Sequence, residues 1–212
     1  MILNLLAALS ISVVGCSDGY RLLSYGDSKS MLATGVGLNE EVWQYHLFRA
    51  TGFRCRLWDI GTPTYAMGSL ARGSATTTDM QAAIDADLAV MFKAPSAILV
   101  NIGSADYVFG LPVEATFKSN YAYIIDAFHT KFPLAIVYCA TPWYDAKDAE
   151  ANTVHGWIGD VLATRSWAAR GPDERSVIKA GDEGVTNTSD GLHYSKAGSI
   201  AWAAAWMQVL GL

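Results

Sequence analysis

Cysteine is scarce in this chain: 212 residues carry three, at positions 16, 55 and 139. An odd, sparse count excludes a scaffold built on disulfides, and without a CxxC pair there is no zinc-site spacing. Proline is equally scarce, at 6 against 19 glycines. The glycines follow no collagen-like period, and neither a low-complexity tract nor a fixed-period repeat occurs. Positive charge is in short supply, with 15 Lys and Arg against 20 Asp and Glu and a formal net charge of −5. Such a chain lacks the basic surface that neutralises phosphates, which argues against nucleic acid and against an anionic membrane as partners. What is abundant is core-forming side chain: 51% of residues are hydrophobic and 17% charged. That composition excludes a disordered chain, and the length suits one domain.

Residues 1–14 are apolar except for Asn4, Ser10 and Ser12. The run is shorter than the roughly 20 residues a membrane-spanning helix needs. Its length fits the core of a secretory leader, and Val13-Val14-Gly15-Cys16 loosely matches the cleavage box of bacterial lipoproteins. Against that, no Lys or Arg precedes Arg21. The segment reads either as a leader, which would place the protein outside the cell or on its envelope, or as a packed N-terminal extension. Residues 1–19 are therefore set apart from a domain covering 20–212.

Strands and helices alternate along that domain. Short apolar runs at 20–25, 53–60, 97–102 and 134–139 read as strands, the first three each followed directly by glycine. A short fifth strand is expected at 176–179. Helical patterns cover 38–50, 80–92, 114–130, 152–169 and 195–210, with N-cap residues at 76–79 before the second. Strand runs that are continuously apolar, rather than alternating, belong in a sheet covered on both faces. The expectation is a three-layer α/β/α domain with about five mostly parallel strands, its ligand site beyond the carboxyl ends of those strands.

The chemistry-bearing residues fall at those ends. Gly26-Asp27-Ser28 follows the first strand, and a serine at a strand-to-helix turn is a nucleophile if a base takes its proton. Asp190-Gly191-Leu192-His193 lies just before the last helix. The spacing lets one turn present both side chains to a single point, with Asp190 accepting from His193 Nδ1 and Nε2 facing Ser28. Taken singly, Gly-Asp-Ser and Asp-Gly are common turn sequences; their order and placement along the alternation carry the argument.

With these blocks the chain resembles the SGNH (GDSL-type) hydrolases, over roughly residues 20–212. The resemblance implies Ser28 as nucleophile, Asp190 and His193 as its partners, a flavodoxin-like sheet, and hydrolysis of carboxylic esters through an acyl-serine without metal or cofactor. It also implies an oxyanion hole built from the backbone N–H groups of Ser28 and a glycine after the second strand. Gly61 matches that glycine best, and Gly68 less well. The Tyr194-Ser195-Lys196-Ala197-Gly198 run continues the last block as the family does. The third block departs. Where the family has Gly-x-Asn-Asp, this chain reads Gly103-Ser104-Ala105-Asp106, so the asparagine donor of the oxyanion hole is absent. Loss of one such donor costs about 10²–10³ in turnover. Either the two backbone donors suffice, or Ser104 or Asn101 substitutes, or the domain is a weakened or non-catalytic relative.

Asp27 reads as a turn-holding residue. Asp106 is expected to support its loop. His46, His129 and His155 fall on helices, and Cys55 and Cys139 in strands. Trp143 and Tyr144 after the fourth strand, and Tyr107 after the third, stand where aromatics form a sugar platform or an acyl pocket, and equally where they pack a core. Ser104, Asp106, Tyr107, Trp143 and Tyr144 are thus the candidate substrate-binding residues. The reading is a serine esterase acting on small acyl esters, acetyl on a carbohydrate first among them. A lipase or thioesterase of the same fold, an acyltransferase and a carbohydrate-binding relative are the alternatives.

Overall fold

The computed structural model describes residues 21–30, 42–51, 56–57, 69–91, 94–179 and 187–212, with the side chains of 56, 57 and 69 left aside. The apolar segment 1–19, most of the second strand, Gly61, Gly68, Cys16 and Cys55 lie outside these residues.

Six strands form one sheet in which every pairing is parallel: β1 (Arg21–Gly26), β2 (Arg56–Leu57), β3 (Ser69–Ala71), β4 (Ala97–Asn101), β5 (Ile136–Thr141) and β6 (Ala168–Asp173). The order is β2-β1-β4-β5-β6, and β3 also pairs with β1. β2 lies beside the start of β1 and β3 beside its end, so two short pieces share one edge position. The chain builds outward from β1 to one edge and then returns to β4 on the other side. That reversal makes the carboxyl ends of β1 and β4 the topological switch point, the place where parallel α/β sheets bind ligands.

Helices α1 (Trp43–Ala50), α2 (Thr77–Ala89), α3 (Ser104–Val108), α4 (Glu114–Lys131), α5 (Asp148–Ala163) and α6 (Lys196–Leu210) cover the sheet. Alternation along β1 assigns the faces. Ser24 accepts a hydrogen bond from Gln44 Nε2 of α1 at 3.2 Å. The next residue, Tyr25, points the other way, edge-on to Phe128 of α4 with ring centroids 4.9 Å apart, and donates to the Met80 carbonyl of α2. α1 and α6 share the first face, where Trp43 stacks on Trp206 at 5.8 Å. Such aromatic pairs contribute about 0.5–1.5 kcal/mol each beyond the area they bury. β1 and β4 are sealed between the layers, with Leu22, Leu23, Ile98, Leu99 and Val100 fully buried, as the continuously apolar runs require.

Helix starts follow the local chemistry. Thr76 caps α2 in a reciprocal capping box with Asp79, and the Ser195 side chain caps α6 through Gly198 N–H. One sequence expectation fails at the edge of the sheet. α5 ends at Ala163 rather than 169, the last strand is Ala168–Asp173, and 176–179 lies within a π-helical turn, Arg175–Lys179. The cause is Gly171-Pro172, which reads as a breaker. At an edge strand the missing proline N–H is tolerated. Gly171 is needed there, because a Cβ would come within 2.7 Å of Ala140 N and 2.8 Å of the Trp206 ring.

Candidate active site

Ser28 stands at the first residue of a single 3₁₀ turn, Ser28–Ser30, directly after β1. The turn is tight enough that a Cβ on Gly26 would fall 2.4 Å from Ser30. Asp27, fully buried, ties it down. Its Oδ1 accepts from Lys29 N at 3.1 Å, and its Oδ2 accepts from Ser104 N at 3.2 Å and Ser104 Oγ at 2.6 Å. Burial raises the Asp27 carboxyl, while the Ser104 bonds and the Lys29 charge oppose that rise. Asp27 therefore holds the Ser28 turn against the loop after β4.

The second half of the site is one short loop before α6. An antiparallel bridge joins Thr188 to Tyr194, Ser189 N donates to the His193 carbonyl at 2.8 Å, and Gly191 takes a left-handed φ of 81° that a side chain would resist. Asp190 Oδ1 accepts from Leu192 N at 3.0 Å and His193 N at 2.7 Å. Its Oδ2 lies 2.7 Å from His193 Nδ1, and His193 Nε2 lies 3.0 Å from Ser28 Oγ. Desolvation pushes the Asp190 carboxyl up, but the His193 and backbone hydrogen bonds outweigh it and bring it down to about 2. A carboxylate ionised at neutral pH only accepts, so Nδ1 carries the imidazole proton and the Nε2 lone pair faces the serine hydroxyl. α6 fixes the base of the loop: a Cβ at Gly198 would sit 1.9 Å from the Asn187 carbonyl oxygen.

No protein-family model matches the sequence, and no curated protein matches it. Solved structures do match in shape. A member of the lipolytic protein G-D-S-L family from Veillonella parvula shares 14% identity, over 90% of this chain and 97% of its own, with a TM-score of 0.67. The psychrotrophic esterase EstA from Pseudoalteromonas sp., inhibited by monoethylphosphonate, shares 16% over 89% and 94%, TM-score 0.67. A carbohydrate esterase family 3 protein from Talaromyces cellulolyticus shares 13% over 90% and 98%, TM-score 0.63. The chain has the SGNH-hydrolase fold. The resemblance seen in the motifs thus extends to the fold.

The other residues singled out from the sequence are placed as follows. Ser104 is buried, and its N–H and hydroxyl both serve Asp27. Asp106 is buried and accepts from Thr77 N at 2.8 Å and Thr77 Oγ1 at 2.6 Å. Burial raises its carboxyl to about 6. Tyr107 is buried in the core, and its hydroxyl has no hydrogen-bond partner among the described residues. Trp143 is buried too, with Nε1 donating to Asp148 at 2.7 Å. Tyr144 is half-buried with its ring beside Gly191, and so lies at the rim of the loop that carries Asp190 and His193. Ala105 lies buried in α3. Asn101 Nδ2 is directed to Ser30 Oγ, at 3.4 Å. Gly61 lies outside the described residues.

The three histidines on helices stay apart from Ser28: His129 stacks on Trp167 at 4.1 Å, His155 faces Arg170, and His46 lies edge-on to Tyr45. Among the described residues no three His, Cys, Asp or Glu side chains gather as a metal site would require, and no helix is long and apolar enough to cross a membrane. Sequence reasoning missed two residues at the site. Lys29 and Glu174 form a buried ion pair at 2.5 Å, behind the Ser28 turn. Lysine next to the serine was the only available signal, and Glu174 lay beyond a strand that the sequence hid.

Proposed function

We propose that the protein is a serine esterase. The observation that carries this reading is the unbroken chain Ser28 Oγ, His193 Nε2, His193 Nδ1, Asp190 Oδ2, with links of 3.0 and 2.7 Å. His193 Nε2 removes the Ser28 proton as Oγ attacks the ester carbonyl, and Asp190 stabilises the imidazolium that results. The N–H groups of Ser28 and Gly61 receive the developing oxyanion. His193 then returns its proton to the leaving alcohol, which departs as the carbonyl re-forms on Ser28. In the second half His193 takes a proton from water, hydroxide attacks the acyl-serine, and the carboxylic acid leaves as Ser28 is reprotonated. Ser104 supplies no third oxyanion donor in this scheme, because its hydroxyl and N–H are committed to Asp27.

The substrate is an acetyl or other small acyl ester carried on a carbohydrate. Two observations support that choice. The side chains of His193 and Asp190 are 44% and 53% exposed, an open setting that admits a bulky polymer rather than only a threaded chain. One solved structure of the same fold is a carbohydrate esterase. Ala105 favours a second reading, a glycan-binding relative without useful turnover. Hydrolysis of p-nitrophenyl acetate and butyrate by the parent and by Ser28→Ala separates the two. Activity in the parent that vanishes in the variant is the expected result. A folded parent with no activity, whose glycan binding survives Ser28→Ala, would put the binding module in its place.

A further inference from the structure

The residue after the nucleophile is a lysine whose side chain is completely buried. Its Nζ donates to Glu174 Oε1 at 2.5 Å and to the Trp143 carbonyl oxygen. Glu174 Oε2 accepts in turn from Trp143 N at 3.0 Å. The same ammonium lies 5.8 Å from the centre of the Tyr194 ring, and Tyr194 follows His193. One ion pair therefore meets four segments at the carboxyl end of the sheet: the Ser28 turn after β1, the Trp143 loop after β5, the end of β6, and the loop that carries the base. Side-chain exposures are 0% for Lys29 and 1% for Glu174.

Stability alone does not explain such a pair. Removing two ions from water costs so much that well-packed apolar residues in their place are commonly neutral or stabilising. What an apolar pair lacks is direction. Glu174 and the ammonium meet Trp143 at its N–H and its carbonyl, a geometry that hydrophobic contact does not impose. We propose that Lys29 and Glu174 are positioning residues, which hold Ser28 Oγ in line with His193 Nε2 by locking the nucleophile turn to the ends of β5 and β6 and to the Tyr194 ring. The Lys29 charge also favours the ionised form of Asp27, whose three accepted hydrogen bonds fix the other side of that turn. Neither residue reaches solvent, so neither touches the ester.

This proposal rests on the esterase reading, and the test keeps the two separable. The full chain is compared with Lys29→Met, Glu174→Gln and the double variant Lys29→Met/Glu174→Met. The measurements are Tm, kcat and KM on p-nitrophenyl acetate, and the rate at which a fluorophosphonate labels Ser28. In that labelling Oγ bonds to phosphorus, fluoride leaves and His193 accepts the proton. Each single variant strands a buried partner and lowers Tm, by on the order of 10 °C. The double variant recovers most of that loss. Its kcat and labelling rate nevertheless stay about 10²-fold below the parent, the scale of a 1 Å misplacement, with KM within about twofold.

A double variant that regains Tm, kcat and labelling rate together would make the pair merely structural and overturn the proposal, while leaving the esterase reading intact. A folded parent that the fluorophosphonate does not label would overturn both. Should the double variant fail to fold, Glu174→Gln decides. Its amide has one acceptor oxygen where the carboxylate has two, so it cannot keep Lys29 on Oε1 and Trp143 N–H on Oε2 in their present geometry, and labelling at the parent rate would again refute positioning.

Discussion

Asparagine in place of Asp190 keeps the shape of the side chain and removes its charge. In the parent, Asp190 accepts three hydrogen bonds: two from backbone N–H groups through Oδ1 and one from His193 Nδ1 through Oδ2. An asparagine that retains both backbone bonds must turn its NH₂ toward Nδ1. The imidazole answers by moving its proton to Nε2, which then points a donor at Ser28 Oγ and cannot take the serine proton. Flipping the amide restores the tautomer only by setting NH₂ against the Leu192 and His193 N–H groups. Loss of the correct tautomer costs about 10³–10⁴ in kcat, or about 4–5.5 kcal/mol of transition-state stabilisation. KM should hold, since Asp190 acts through His193.

Folding feels the change less. A carboxyl lowered from 3.8 to about 2 stabilises the fold above pH 4, and that contribution is lost as pH falls toward 2. With the side chain 53% exposed, solvent screening leaves about 1 kcal/mol of it. The assay is kcat and KM on p-nitrophenyl acetate at neutral pH, with Tm alongside. A loss in kcat of less than tenfold, with the variant folded, would refute the assignment of Asp190 as the residue that orients His193.

Three further outcomes are expected. Ala105→Asn should raise turnover about tenfold or more, because Ser104 is committed to Asp27 and a full oxyanion donor is worth about 10²–10³; an unchanged kcat in a folded variant would mean the position does not face the oxyanion. Asp106, raised by burial to about 6, keeps its proton in the folded state between pH 4 and 6 while the unfolded chain has released it. Stability therefore falls as pH rises through that window, by up to about 3 kcal/mol from this group, and Asp106→Asn should flatten that part of a Tm-against-pH curve; parallel curves would refute it. Gly198→Ala drives a Cβ into the Asn187 carbonyl and shifts the base of the loop that holds Asp190 and His193. Ester hydrolysis should fall at least tenfold, the effect expected of even a small displacement, and wild-type kinetics in this variant would show the loop to be held elsewhere.

Much of this is legible in the amino-acid sequence. Continuously apolar runs marked β1, β4 and β5, because a strand buried on both faces has no polar face to show. Asp190 and His193 announced themselves by spacing, since three residues of turn bring both side chains to one point. The hidden parts share a cause: tertiary context overrode local preference. Gly171-Pro172 signals a turn to any local rule, yet the sheet edge accepts the proline and the Trp206 ring demands the glycine. Trp143 and Tyr107 fell at the ligand edge in sequence but face inward, and aromatic character alone does not distinguish platform from core. Lys29 was invisible as a buried residue because its partner lies 145 positions away.

Ser28 and His193 are separated by 165 positions, with every strand of the described sheet but the first made between them. A ribosome delivers the Ser28 turn well before the loop that carries His193. Until that loop has emerged, the proposed nucleophile lacks its proposed base. The Ser28–His193 contact spans 165 positions, so it forms against a large loop-closure entropy. On the esterase reading proposed above, hydrolytic competence is thereby withheld until α6 has docked, and a chain stalled or clipped before residue 190 is expected to leave esters untouched.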